Sequence, residues 1–79
     1  MNVEALSMDC LMPKDYAGRC LVTLCAGLEL ELVLPTLDDA VSVARYALNP
    51  EVGGFSFARI ESTDKPVTYK SPFDWLFEN

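Results

Sequence analysis

From Leu28 to Leu34 the chain reads LELELVL, which sets leucines 28, 30, 32 and 34 on one side of an extended chain and Glu29 and Glu31 on the other. A period of two is what a strand shows when one face lies on a core and the other in water. The preceding stretch RCLVTLC, residues 19–25, is rich in β-formers, and Ala26-Gly27 supplies a turn, so residues 19–34 are predicted to form a β-hairpin. Pro35 ends the second strand. Thr36 then stands as a helix N-cap with Asp39 three residues later, a capping box whose acids, Asp38 and Asp39, fall in the positive first turn. Leu37, Ala40, Val41, Ala44 and Leu48 share one stripe while Asp38, Asp39, Ser42 and Arg45 lie mainly off it, which predicts a helix over 37–48, packed on the sheet and stopped by Asn49-Pro50.

Past the Glu51-Val52-Gly53-Gly54 loop, residues 55–61 read as a third strand, with Phe55 and Phe57 on one face and Ser56, Ala58 and Ile60 on the other. Apolar groups on both faces suit a central strand, or one that presents a face to a partner. After a TDKP turn, residues 66–70 predict a short fourth strand. Residues 1–16 carry only a weak alternation, Leu6, Met8, Cys10 and Met12, cut off by Pro13 as on an edge strand. At the other end Ser71, Pro72 and Asp74 predict a short C-terminal helical turn, and its Phe73, Trp75, Leu76 and Phe77 either close the core or form a contact surface. The expected fold is a single α+β domain over 1–79. It has two layers, an antiparallel sheet of three to five strands in ββαββ order with one main helix on one face.

Composition adds constraints to this pattern. The 79 residues are 51% hydrophobic, and a chain of this size buries only about 60% of its unfolded surface, so part of the apolar content stays exposed and suits a partner or homodimer contact. Twelve acids against six bases, with no histidine, give a net charge of −6. Such a surface disfavours direct nucleic-acid binding and favours basic partners, or serves only to keep the protein soluble. Cys10, Cys20 and Cys25 are an odd set without secreted-scaffold density, which points to a reducing cytoplasm. The first ten residues lack a basic segment before an apolar run, and Cys20–Leu28, the longest uncharged stretch, is about half of what a membrane span requires, so neither a targeting nor a membrane segment is expected.

Without histidine, Cys-His and Ser-His nucleophilic sites cannot be assembled within this chain, and Glu29 and Glu31 on an exposed strand face lack the burial that separates the pKa values of a catalytic carboxylate pair. No enzyme activity is expected. Cys20 and Cys25 point to opposite faces of their strand and no CxxC pair is present, so no metal and no cofactor are expected. Buried apolar roles suit Cys20 or Cys25, with Cys10 as the exposed thiol. Gly53-Gly54 lacks the strand-to-helix context of a phosphate loop. What survives is acidic: Glu29 and Glu31 stand about 6.5 Å apart on one strand face, a spacing at which basic side chains that track phosphates can be met. With Asp38, Asp39 and Glu51 they make the candidate partner-binding set, although Asp38 and Asp39 equally serve the helix dipole.

A short acidic chain with no catalytic set, no targeting signal and a ββαββ order resembles, in type and without a shared motif, the small anti-CRISPR proteins encoded by phages and mobile elements. That resemblance implies a non-catalytic inhibitor, acting in the host cell cytosol, that covers a basic nucleic-acid-binding surface of an effector complex with carboxylates. The alternative is a structural accessory or homodimeric domain whose contact is aromatic, through Phe55, Phe57, Trp75 and Phe77, with the acids as solubilising groups.

Overall fold

The hairpin forms where the alternation places it. In the structure, a computed structural model that describes residues 8–71, Cys20–Cys25 and Glu29–Leu34 pair antiparallel around a turn in which Gly27 takes a φ of +81° and the Ala26 N–H donates to the Leu28 carbonyl at 2.9 Å. In chain order the elements are β1 (Met8–Cys10), β2 (Cys20–Cys25), β3 (Glu29–Leu34), α1 (Leu37–Leu48) and β4 (Phe57–Ser62). They build a four-stranded sheet in the order β1-β4-β2-β3 with α1 on one face, the α+β two-layer arrangement that the sequence predicts.

The helix starts as the capping box requires: Thr36 is extended, and its Oγ1 accepts the Asp39 N–H at 3.1 Å. At the other end the Asn49 N–H reaches the carbonyls of Arg45 and Tyr46. The face it buries is Ala40, Val43, Ala44 and Ala47, an i, i+3, i+4, i+7 set turned slightly from the predicted stripe. Leu37, Val41 and Leu48 pack at its flanks, because small side chains on the centre line bring the helix close and push the larger ones to the rim. Opposite lie Cys20, Val22 and Leu24 of β2, Leu32 and Leu34 of β3, and Ala58 and Ile60 of β4, every second residue of each strand.

Three expectations need correction. First, the sheet is mixed: β1 runs parallel to β4, from Met8 beside Ala58 to Cys10 beside Ile60, and the Leu11 N–H continues the ladder to the Ile60 carbonyl at 3.0 Å. A distant partner strand chose that direction, and local alternation carries no such information. Second, residues 66–70 are not a strand. The N–H groups of Thr68 and Tyr69 converge on one acceptor, the Val33 carbonyl, at 3.0 and 3.3 Å, which bends the chain instead of extending a ladder. Third, Phe55 and Phe57 do not share a strand face. The Phe55 N–H is tied to the Ala47 carbonyl at 2.8 Å, and its ring packs against the core. Ser56 bonds the Cys25 carbonyl through both N–H and hydroxyl, and β4 begins only at Phe57. The predicted C-terminal turn, with Phe73, Trp75, Leu76 and Phe77, lies outside the described residues.

All three cysteines are free, Cys10 exposed, Cys25 half-buried and Cys20 buried. Burial pushes the Cys20 thiol up from its ordinary value, and the neighbouring Cys10 pushes in the same direction. Alkylation of the native protein followed by mass spectrometry is therefore expected to modify Cys10 first and Cys20 last, with Cys20 reaching the Cys10 rate only in denaturant. Gly53 offers a second check. A Cβ there would meet the Ala47 Cα and carbonyl oxygen at 2.6 Å, and backbone cannot yield as a side chain would. Gly53→Ala should lower stability in a denaturant titration by about 1–3 kcal/mol through this forced overlap.

Candidate functional site

β3 is an edge strand, and the four leucines of residues 28–34 meet different fates. Leu32 and Leu34 are 1% and 0% exposed, whereas Leu30 is 40% and Leu28, in the turn, 82% exposed. Burial therefore does not alternate along β3: residues 29–31 are exposed on both faces and residues 32–34, Val33 included, are buried on both. On the leucine face the cause is the path of α1, which leaves the sheet edge just after Leu34 and finishes where Ala47 bonds Phe55 on the approach to β4. Its contacts fall mainly on β2 and β4, so it crosses the sheet obliquely and the hairpin tip stands clear.

On the face away from the helix the strand registers align a row of polar side chains. Asp9 is opposite Arg59, Arg59 opposite Thr23, and Thr23 opposite Glu31. Arg59 Nε lies 4.0 Å from Asp9 Oδ2, and Lys65 Nζ lies 3.6 Å from Glu31 Oε1, so charge alternates from β1 across the sheet to the flank of β3. Each of these side chains is about half exposed, a setting in which such pairs contribute about 0–1 kcal/mol. The next row holds Phe57, Cys25 and Glu29 in register. Among the described residues Glu29 makes no ion pair.

Of the five predicted partner-binding residues, the structure brings Glu29 and Glu31 together, exposed, on this face of β3. Glu51 is exposed in the turn after α1, where its N–H donates to Asn49 Oδ1 at 2.9 Å. That turn is at the same end of the sheet as Glu29, since Ala47 bonds Phe55, Ser56 bonds Cys25 and Cys25 is in register with Glu29. It belongs, however, to the helix layer. Asp38 and Asp39 sit at the opposite end, past Leu34, about 17 Å along β3 from Glu29. There they occupy the first turn of α1, where acids complement the helix dipole. The five carboxylates thus form no single rim.

Three further side chains belong to this surface without a clear signal in the sequence pattern: Lys65, Leu28 and Leu30. Lys65 is the cation beside Glu31, brought there by the chain that doubles back to Val33, and no local pattern signals a contact between such distant residues. Leu28 and Leu30 are exposed apolar neighbours of the two glutamates; the only hint was their closeness to the Ala26-Gly27 turn, where a helix of limited length cannot follow. Glu29 and Glu31 on one face of the chain can receive cationic groups, and Leu28 and Leu30 on the other can receive apolar ones. Among the described residues no side chain of polar or charged type is buried, no cluster of three or more histidine, cysteine or acidic residues could hold a metal ion, and no helix is long and apolar enough to cross a membrane.

The chain matches no protein-family model, no curated protein and no solved structure.

Proposed function

We propose that this protein is a non-catalytic binding protein whose β3 carboxylates engage a basic surface of a nucleic-acid-handling partner, and that it acts as an inhibitor by covering that surface. The observation that carries the reading is the placement of Glu29 and Glu31, both exposed, on one face of an edge strand, with one half-exposed lysine against Glu31. Their spacing suits arginines and lysines that would otherwise track a phosphate backbone, as in the nucleic-acid channel of a CRISPR effector complex. A net charge of −6 supplies long-range attraction to such a surface and speeds encounter. Asp38, Asp39 and Glu51 contribute to that field from their separate positions without forming part of the β3 contact. Free thiols suit work in a reducing cytosol, the host's if the protein is phage-encoded.

A second reading, a homodimeric or accessory domain with an apolar contact, draws on exposed Leu28 and Leu30. Its aromatic form is weakened by Phe55, which packs against the core and is not free to serve as a contact. The two readings differ in their response to salt, since charge-led association weakens as salt rises and apolar association does not.

The test is capture of partners from a host lysate at two salt concentrations, with the parent and with Glu29→Lys/Glu31→Lys. The double reversal should remain folded, since both positions are exposed and such substitutions usually fall within about 0.5 kcal/mol. It should lose the captured partner, slow any residual association and flatten its salt dependence. A folded double variant that captures and inhibits as well as the parent overturns the proposal.

A further inference from the structure

In an antiparallel ladder the backbone groups of successive residues point alternately to the two sides of a strand. At Val33 the outward side is known: its N–H donates to Thr68 Oγ1 at 2.8 Å and its carbonyl accepts the Thr68 N–H at 3.0 Å, both away from β2. Glu31 and Glu29 have the same parity, so their N–H and carbonyl groups face the same open side. Among the described residues no backbone group bonds to them there. Among the described residues the edge of β3 is therefore closed at Val33 and open over Glu29–Glu31, and it is flanked on the helix side by exposed Leu28 and Leu30.

We propose that this open edge accepts an extended segment of the basic partner as an added β-strand, a segment in which lysine or arginine alternates with apolar residues. The inference rests on the acidic-surface reading and specifies how that surface is engaged. Backbone bonds to Glu29 and Glu31 give the added strand its register, and alternate side chains give it specificity. On the face away from the helix, its basic residues stand opposite Glu29 and Glu31. On the helix side, its apolar residues cover Leu30 and Leu28. Lys65 already shows the charge match, because its ammonium lies 3.6 Å from Glu31 Oε1.

Charge also decides against a second copy of this chain as occupant. Every antiparallel register that overlaps the Glu29–Glu31 segments of two copies and keeps the leucines on one face sets glutamate against glutamate, and like charges directly opposite destabilise a strand pair. Charged residues on an edge commonly guard against such self-pairing. Here the same glutamates favour a basic strand, and the exposed leucines beside them reward one of alternating character.

The probe is a short acetylated and amidated peptide of alternating valine and lysine, titrated into the isotope-labelled full chain at low salt. Two controls accompany it: a peptide of identical composition with valines and lysines in blocks, and the alternating peptide N-methylated on every second residue. Because parity decides which amides face β3, the N-methylated form is made in both parities. The alternating peptide should bind with amide shifts centred on Glu29–Glu31. N-methylation in one parity should weaken it about tenfold or more, the effect of losing two backbone hydrogen bonds. In the protein, Glu31→Pro, which removes an outward N–H, should weaken binding more than Glu31→Gln, which removes only charge; the peptide series stands even where the proline variant fails to fold. Equal binding by the blocked peptide and by both N-methylated peptides overturns strand addition while the acidic-surface reading stands. Absence of binding by every basic peptide, with Glu29→Lys/Glu31→Lys without effect on partner capture, overturns both.

Discussion

The close approach of α1 to β2 and β4 decides the rest of the structure. Ala40, Ala44 and Ala47 put almost no side chain between the helix backbone and the sheet, and with Val43 they are fully buried against Val22, Leu24, Ala58 and Ile60. Short side chains give a tight but narrow contact. It spans two central strands and leaves the start of a third uncovered, so the exposure of Leu30 and Leu28 has the same origin as the burial of Leu32 and Leu34. Ala47 also anchors the return of the chain, through its bond to Phe55 and its contact with the glycine at 53. The core and the candidate binding edge are thus consequences of one packing choice.

Burial, rather than charge, holds the sheet together. The row Asp9, Arg59, Thr23, Glu31 and Lys65 is half exposed, where solvent screens each pair and holding two long side chains in one geometry costs entropy that offsets most of the attraction. The apolar residues beneath are excluded from water, and each large buried side chain contributes about 1.5–3 kcal/mol relative to exposure. Glu29 and Glu31 can therefore be changed with little effect on the fold. This separation lets a charged surface evolve toward a partner without altering the core.

What the sequence reveals follows the range of each interaction. Thr36 and Asp39 are three residues apart and their hydrogen bond is read directly; the hairpin is almost as local, with Gly27 taking the positive φ that its turn requires. The exact helix stripe was less legible, because Val41 and Val43 are equal in hydropathy and only the sheet decides which is buried. Phe55 misleads for a similar reason: its alternation with Phe57 is real in the sequence, but Ser56 breaks the strand by bonding Cys25. The parallel partner of β1, the landing of Thr68 on Val33 and the pairing of Lys65 with Glu31 join distant parts of the chain. Of the candidate site, Glu29 and Glu31 were legible by alternation. Their separation from Asp38 and Asp39 was not, because it depends on the length of β3.

Thr68 gives the open edge its limits. By filling both outward groups of Val33 it prevents an incoming strand from running the full length of β3, and it does so beside the buried Leu34 end, where pairing would press a partner against the start of α1. Among the described residues the Glu29–Glu31 end lacks that closure and has instead two carboxylates, which oppose a like strand and attract a basic one. An edge closed by hydrogen bonds at one end and screened by charge at the other resists indiscriminate pairing along its whole length. The difference between the two devices is selectivity: a filled hydrogen bond excludes every strand, whereas a carboxylate excludes only strands that share its charge.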